Sequence, residues 1–139
     1  INYNTADFVK VLKEETNNLG VNLILDMVGG SYTSRNISLM ADDARLVFIG
    51  FLGGHEAQVN FTKVMMKRLT ITGSTLRPQS DQNKTKIAED LSKKVWPLID
   101  SGAIEPIIDS TFSIEDVAKA HIRLETSQHI GKITLQILT

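Results

Sequence analysis

The sequence has no cysteine, which excludes disulfides, thiolate nucleophiles and Cys-ligated zinc within its 139 residues. It has almost no net charge. Fifteen Lys+Arg stand against sixteen Asp+Glu, with the signs interspersed, for a formal −1. That balance argues against a basic nucleic-acid-binding surface or an acidic tail. No apolar run approaches the ~20 residues that a membrane-spanning helix needs. No secretion signal is visible, so the three Asn-x-Ser/Thr sequons at Asn36, Asn60 and Asn83 read as chance matches. A cytoplasmic protein is the expectation. The three histidines, His55, His121 and His129, fall in no H-E-x-x-H or comparable spacing, and no metal site is expected. Neither G-x-G-x-x-G nor G-x-x-x-x-G-K-[ST] occurs, so any pyrophosphate-binding turn is expected upstream of Ile1.

What is present is a pair of apolar runs that stop at glycine: Val21–Met27 before Gly29-Gly30, and Leu46–Ile49 before Gly50 and Gly53-Gly54. Near-continuous Val/Ile/Leu runs mark buried parallel strands, and a helix-length segment lies between these two. Glycine at a strand end admits a close backbone approach, and open α/β sheets bind ligands at the carboxyl ends of their strands. The remaining pattern extends this reading. Ile1-Asn2-Tyr3 reads as a strand end, and Asn4-Thr5 as the cap of a helix that places Asp7 in its first turn. Further helices are expected at Ser31–Met40 and Phe61–Met66, with Met65-Met66 as core, and a period-2 strand at Leu69–Gly73. Beyond Leu76 a polar connector leads to a long helix that Pro97 should bend. An extended stretch at Pro106–Phe112 follows, then a capping box at Ser113–Asp116 that opens a helix with Val117, His121 and Leu124 on one face. His121 is expected in the core. A terminal strand begins at Gly131. Asp26 ends its strand and is expected to be structural, because the acid that binds ribose in dinucleotide folds belongs to an earlier strand.

The blocks INY, NLILDMVGGSY, ARLVFIGFLGG, TITGSTLR, FSIEDVAKAH and HIGKITL stand in one order along nearly the whole chain. In that order they resemble the C-terminal portion of zinc-independent, zeta-crystallin-like quinone oxidoreductases of the medium-chain dehydrogenase/reductase superfamily, nearest the p53-inducible branch. The resemblance implies an α/β fold. Residues 1–76 would form the second half of a Rossmann-type parallel sheet, the C-terminal half of an NAD(P)-binding domain. Residues 77–139 would return to a GroES-like catalytic domain. It implies hydride transfer from NADPH to a quinone or an α,β-unsaturated carbonyl. The alternatives are an enoyl or alkenal reductase, or a non-enzymatic crystallin-like or RNA-binding role, to which the near-neutral charge lends no support.

By the same resemblance, the cofactor-binding positions are Tyr3 near the adenosine ribose, the Ile49-Gly50-Phe51-Leu52 backbone along the nicotinamide ribose, and Ser74-Thr75-Leu76 on the carboxamide's other side. His129 falls where relatives carry a polar residue near the cofactor, although histidine in place of the usual asparagine favours a surface side chain. No catalytic nucleophile–base pair is assignable, and the cofactor implied is NADP. The partners implied are a small-molecule substrate and a second copy of the chain, paired through the Leu69–Gly73 edge strand.

Overall fold

Strands alternating with amphipathic helices at this spacing call for parallel sheets with helical crossovers, and that is what forms. The computed structural model describes residues 1–137. The chain divides into two compact units, Ile1–Ser80 and the residues from Asp81 onward.

The first unit starts with a turn, not with the expected strand end. The Asn2 side chain accepts the Asn4 amide at 2.9 Å, and the Asn2 carbonyl accepts the amides of Thr5 and Ala6. Asn2 thereby bends the chain at Tyr3, and Asn4-Thr5 lies inside the turn instead of capping a helix. The cap is Asp7, whose carboxylate accepts the Val9 amide to open α1 (Phe8–Glu15). Then come β1 (Val21–Asp26), α2 (Tyr32–Leu39), β2 (Met40–Phe48), α3 (Phe61–Met66) and β3 (Thr70–Gly73). The three strands are parallel in the order β1-β2-β3, with Ile24 beside Leu46 and Leu46 beside Ile71.

Because side chains alternate across a strand, the row through Leu46 faces one way and the row through Leu25 and Val47 the other. The first row builds the core. Ile37, Met40, Ala44 and Leu46 are buried, and Ile24, Phe48, Val59, Val64 and Leu69 pack around them. Leu23 and Leu25, on the second row, are each 64% exposed. Met65 and Met66, expected in the core, are exposed as well. The one-and-a-half turns of α3 bring only Val64 inward, and Leu69 fills the place the methionines were expected to take. A register shift after Val21 lets β2 take up the Asp42-Asp43 segment. There Arg68 grips the Asp43 carboxylate with two hydrogen bonds of 2.7 and 2.6 Å.

In the second unit, α4 (Asp81–Lys94) gives way at Val95 to α5 (Trp96–Asp100), with Pro97 in the first turn of α5 where a missing amide costs nothing. β4 (Ile108–Ser113), a 3-10 turn (Ile114–Asp116), α6 (Val117–Glu125) and β5 (Lys132–Gln136) form a second parallel strand–helix–strand unit. Ser113 accepts the Glu115 amide and so caps the 3-10 turn. Helix α6 itself starts from Asp116 with no side-chain cap, so the expected capping box does not open the helix. The buried residue on α6 is Ala120. His121, one step of about 100° further round the helix, is exposed instead of joining the core.

Candidate functional site

The carboxyl end of β1 is braced from below by Asp26, which is only 4% exposed. One carboxylate oxygen accepts the amides of Val28 and Gly29 at 2.7 and 3.0 Å, and the other accepts the Asn36 side-chain amide at 3.0 Å. These bonds explain its structural role. They turn the chain through Gly29-Gly30 into α2, whose first amides close on Gly29 and Gly30 carbonyls.

The two glycine pairs meet each other. The Leu52 and Gly53 amides donate to the Met27 and Val28 carbonyls at 3.0 and 2.7 Å. Gly30 has φ +52°, and a Cβ there would stand 2.4 Å from the Gly53 carbonyl oxygen. The glycines before α2 and after β2 therefore let two backbone turns interlock. The close approach expected of a ligand is made, at these positions, by the chain itself.

One residue pair earlier the arrangement opens. Phe48, Ile49, Gly50 and Phe51 at the end of β2 and Gly73, Ser74 and Thr75 at the end of β3 line a cavity of about 620 Å³, within the range of small-molecule sites. Two separate strand ends identified in the sequence, 49–51 and 74–75, are thus brought together. The Ile49 amide is taken by the Asp26 carbonyl and the Ser74 amide by the Phe48 carbonyl. The amides of Gly50 and Phe51 make no such bond among the described residues, which leaves two donors at the cavity. A Gly50 Cβ would meet the Met27 backbone at 3.4 Å, an ordinary contact.

Leu52 and Leu76 are exposed beyond the lining, and Tyr3 remains exposed on the N-terminal turn. The sequence reading did not single out Phe48, Gly73 or Gln79. Phe48 was findable, since its ring follows the alternation of β2 and packs on Phe51 with centroids 5.2 Å apart. Gln79 lies in a polar connector with no periodicity to mark it.

His129 belongs to the second unit. It lines a cavity of about 260 Å³ with Val117, His121, Leu124 and Lys132, between α6 and β5. Its Nδ1 is buried and has no hydrogen-bond partner among the described residues, so the ring is not the freely solvated side chain that the sequence suggested. Next to it, Asp109 holds its proton far less tightly than an ordinary carboxyl. The Arg123 guanidinium, bound through two hydrogen bonds, is the main cause, and the Ile130 amide adds to it. Among the described residues no group of three or more His, Asp or Glu side chains could hold a metal ion.

A family model described as zinc-binding dehydrogenase matches residues 1–135. The chain belongs to this family. Quinone oxidoreductase-like protein 2 of Bos taurus is 26% identical over 137 residues, covering 99% of this chain and 39% of that protein. The quinone oxidoreductase of Rattus norvegicus is 25% identical over 135 residues, covering 96% of this chain and 39% of that protein. The crystal structure of an NAD-dependent alcohol dehydrogenase matches with a TM-score of 0.75 at 25% identity, over 99% of this chain and 37% of that one. The chain thus spans about two fifths of the length of these relatives. Its parallel α/β architecture is like that of the Rossmann-type NAD-binding domain of medium-chain alcohol dehydrogenases. A dehydrogenase of this family is an oxidoreductase that works with a nicotinamide cofactor.

Proposed function

We propose that this zinc-binding dehydrogenase chain supplies the nicotinamide and ribose side of an NADPH site in a quinone reductase, and that it uses no zinc. The observation that carries the reading is the cavity where Gly50 and Phe51 present unpaired amides opposite Ser74 and Thr75. A carboxamide needs both donors and acceptors, and strand-end backbone together with short hydroxyl side chains provides them without any ionised group. The bound dihydronicotinamide would supply the hydride to a quinone or an α,β-unsaturated carbonyl. Phe48 and Phe51 would exclude water beside the ring, while Ser74 and Thr75 would fix the amide rotamer. Tyr3, Leu52, Leu76 and His129 enter the reading through the family resemblance alone.

That the enzyme uses no zinc enters through the family resemblance alone. Residues 1–76 would belong to the cofactor domain and 77–139 to the catalytic one, and a cytoplasmic setting suits a chain with no disulfide to keep. A second copy would join through β3. All four of its residues are exposed, and its outer edge has no strand partner among the described residues.

Titrating the 139-residue chain into NADPH and following nicotinamide fluorescence tests the cofactor reading. Binding that is weak but saturable, with no quinone turnover, is expected from a chain lacking a glycine-rich phosphate motif. Brisk turnover, or no change in fluorescence at millimolar chain, would refute it.

A further inference from the structure

Asp26 stands where the pairing of β1 with β2 stops. The two strands keep register as far as Asp26 beside Phe48. The Ile49 amide carries the ladder half a rung further, donating to the Asp26 carbonyl at 2.8 Å. In a parallel pair a residue gives its amide to one residue of the neighbouring strand and accepts at its carbonyl from the residue two further on. The Ile49 carbonyl is therefore due the Val28 amide. Val28 gives that amide to the Asp26 carboxylate instead, at 2.7 Å. The same carboxylate oxygen takes the Gly29 amide at 3.0 Å, and the buried Asn36 of α2 donates to the other at 3.0 Å. A side chain that captures a nearby backbone amide competes with the ladder, and here it wins. The next rung is lost with it. The Val28 carbonyl, due the Phe51 amide, accepts the Gly53 amide at 2.7 Å, and the Leu52 amide donates to the Met27 carbonyl at 3.0 Å.

Two groups are left over. Neither the Ile49 carbonyl nor the Phe51 amide makes a hydrogen bond among the described residues, and both residues line the cavity at the ends of β2 and β3. Phe51 is held at its ring as well. Gly29 has φ +65°, and a Cβ there would stand 2.6 Å from Phe51 Cδ1, so the ring rests on the same turn that Asp26 holds. We propose that Asp26 is a positioning residue whose carboxylate ends the β1–β2 ladder one rung early and so keeps the Ile49 carbonyl and the Phe51 amide for a ligand's carboxamide. A primary carboxamide carries an acceptor oxygen and an NH2 donor, the complement of that pair. Asn36 serves the same end by tying down the second carboxylate oxygen. The inference deepens the cofactor reading above and rests on it.

The test is NMR of the isotope-labelled 139-residue chain, with NADPH as the probe. In the unsubstituted chain no scalar coupling should cross from the Val28 amide to the Ile49 carbonyl, and the Phe51 amide should exchange fast. Asp26→Leu removes the competing acceptor at similar volume. The Val28–Ile49 coupling should then appear and Phe51 exchange should slow. NADPH binding should weaken by about tenfold, the worth of one hydrogen bond. Asp26→Asn keeps an oxygen for the Val28 amide and should restore fast Phe51 exchange and NADPH affinity together. If Asp26→Leu fails to fold, the double variant with Asn36→Leu leaves no polar side chain unpaired and gives the same readings. A merely structural carboxylate would make Phe51 exchange faster in the Leu variant, with no new coupling, and that result would overturn the proposal. A lengthened ladder with NADPH affinity unchanged would overturn it too and leave the cofactor reading standing. NADPH shifting none of the Gly50, Phe51, Ser74 and Thr75 amides of the unsubstituted chain would overturn the cofactor reading, and the proposal with it.

Discussion

The two units share a motif, parallel strands joined through a helix, yet they are held in opposite ways. In the first, Leu46 and Met40 are fully buried and the sheet closes on α2 and α3 through apolar contact. In the second, the only buried apolar side chain among the described residues is Ala120, and β4, α6 and the segment that enters β5 are tied by Asp109 and Arg123. Burial of apolar surface is non-directional, so the first unit tolerates a change of side chain of similar volume. A bidentate ion pair is directional, so the second depends on one geometry and on protonation state. Apolar closure stabilises; directional closure also fixes the backbone on either side of His129.

The largest effect should come from the first unit's core. Leu46→Ala removes a side chain with no exposure, and truncations of this kind cost about 2–5 kcal/mol. Urea unfolding followed through β1–β2 amides should show the loss, while β4–β5 amides keep their midpoint. Equal loss in both units would mean that the contrast between them is false. Next comes Gly30→Ala, which places a Cβ 2.4 Å from the Gly53 carbonyl oxygen at a left-handed position. A cost of about 1–3 kcal/mol is expected, against well under that for Gly50→Ala, whose Cβ finds ordinary contact at 3.4 Å. The same urea measurement on the two variants separates a glycine that packs chain on chain from one that does not. A Gly50→Ala protein as unstable as Gly30→Ala would remove that distinction.

The smallest effect is acid sensitivity of the ion pair. The folded Asp109 carboxyl lies well below the ordinary carboxylate value, chiefly through Arg123. The unfolded value is about 3.9, so the stabilisation is fully present above that pH and fades as pH falls from there through the folded value. Thermal melting of the β4–β5 unit should therefore be flat from neutral pH to about that point and decline below it, with a shallower decline in Asp109→Asn. Identical acid slopes for the two proteins would show that the carboxylate contributes nothing there.

Much of this architecture was legible because it is periodic. The apolar runs at Leu23–Met27 and Leu46–Ile49 and the alternation at Leu69–Gly73 each state a strand preference that the fold keeps, although Leu23 and Leu25, expected to be buried, are exposed. The misses share a cause, which is that a contact partner far along the chain decides the outcome. Asn2 captures amides that a strand would have offered elsewhere, Val64 and Leu69 take the space assigned to Met65 and Met66, and Ala120 displaces His121 from the packed side of α6. In the candidate site, strand ends 49–51 and 74–75 were readable, since glycine and short hydroxyl residues follow apolar strands. The interlock of Gly29-Gly30 with Gly53-Gly54 was not readable, because a glycine spared for a ligand and one spared for another turn look alike in sequence. Nor was the grip of Asp109 and Arg123 on the residues flanking His129, which depends on a slip in strand register.

The central claim is that the cavity at the ends of β2 and β3 receives a nicotinamide. It is tested most directly by mapping amide chemical shifts of the isotope-labelled chain while NADPH is added to millimolar concentration. The account predicts that the Gly50, Phe51, Ser74 and Thr75 amides move together along one saturable curve, with the interlocked Gly29 and Gly30 amides unmoved. Saturable shifts confined to other surfaces, or no shift at these four amides throughout the titration, would contradict it.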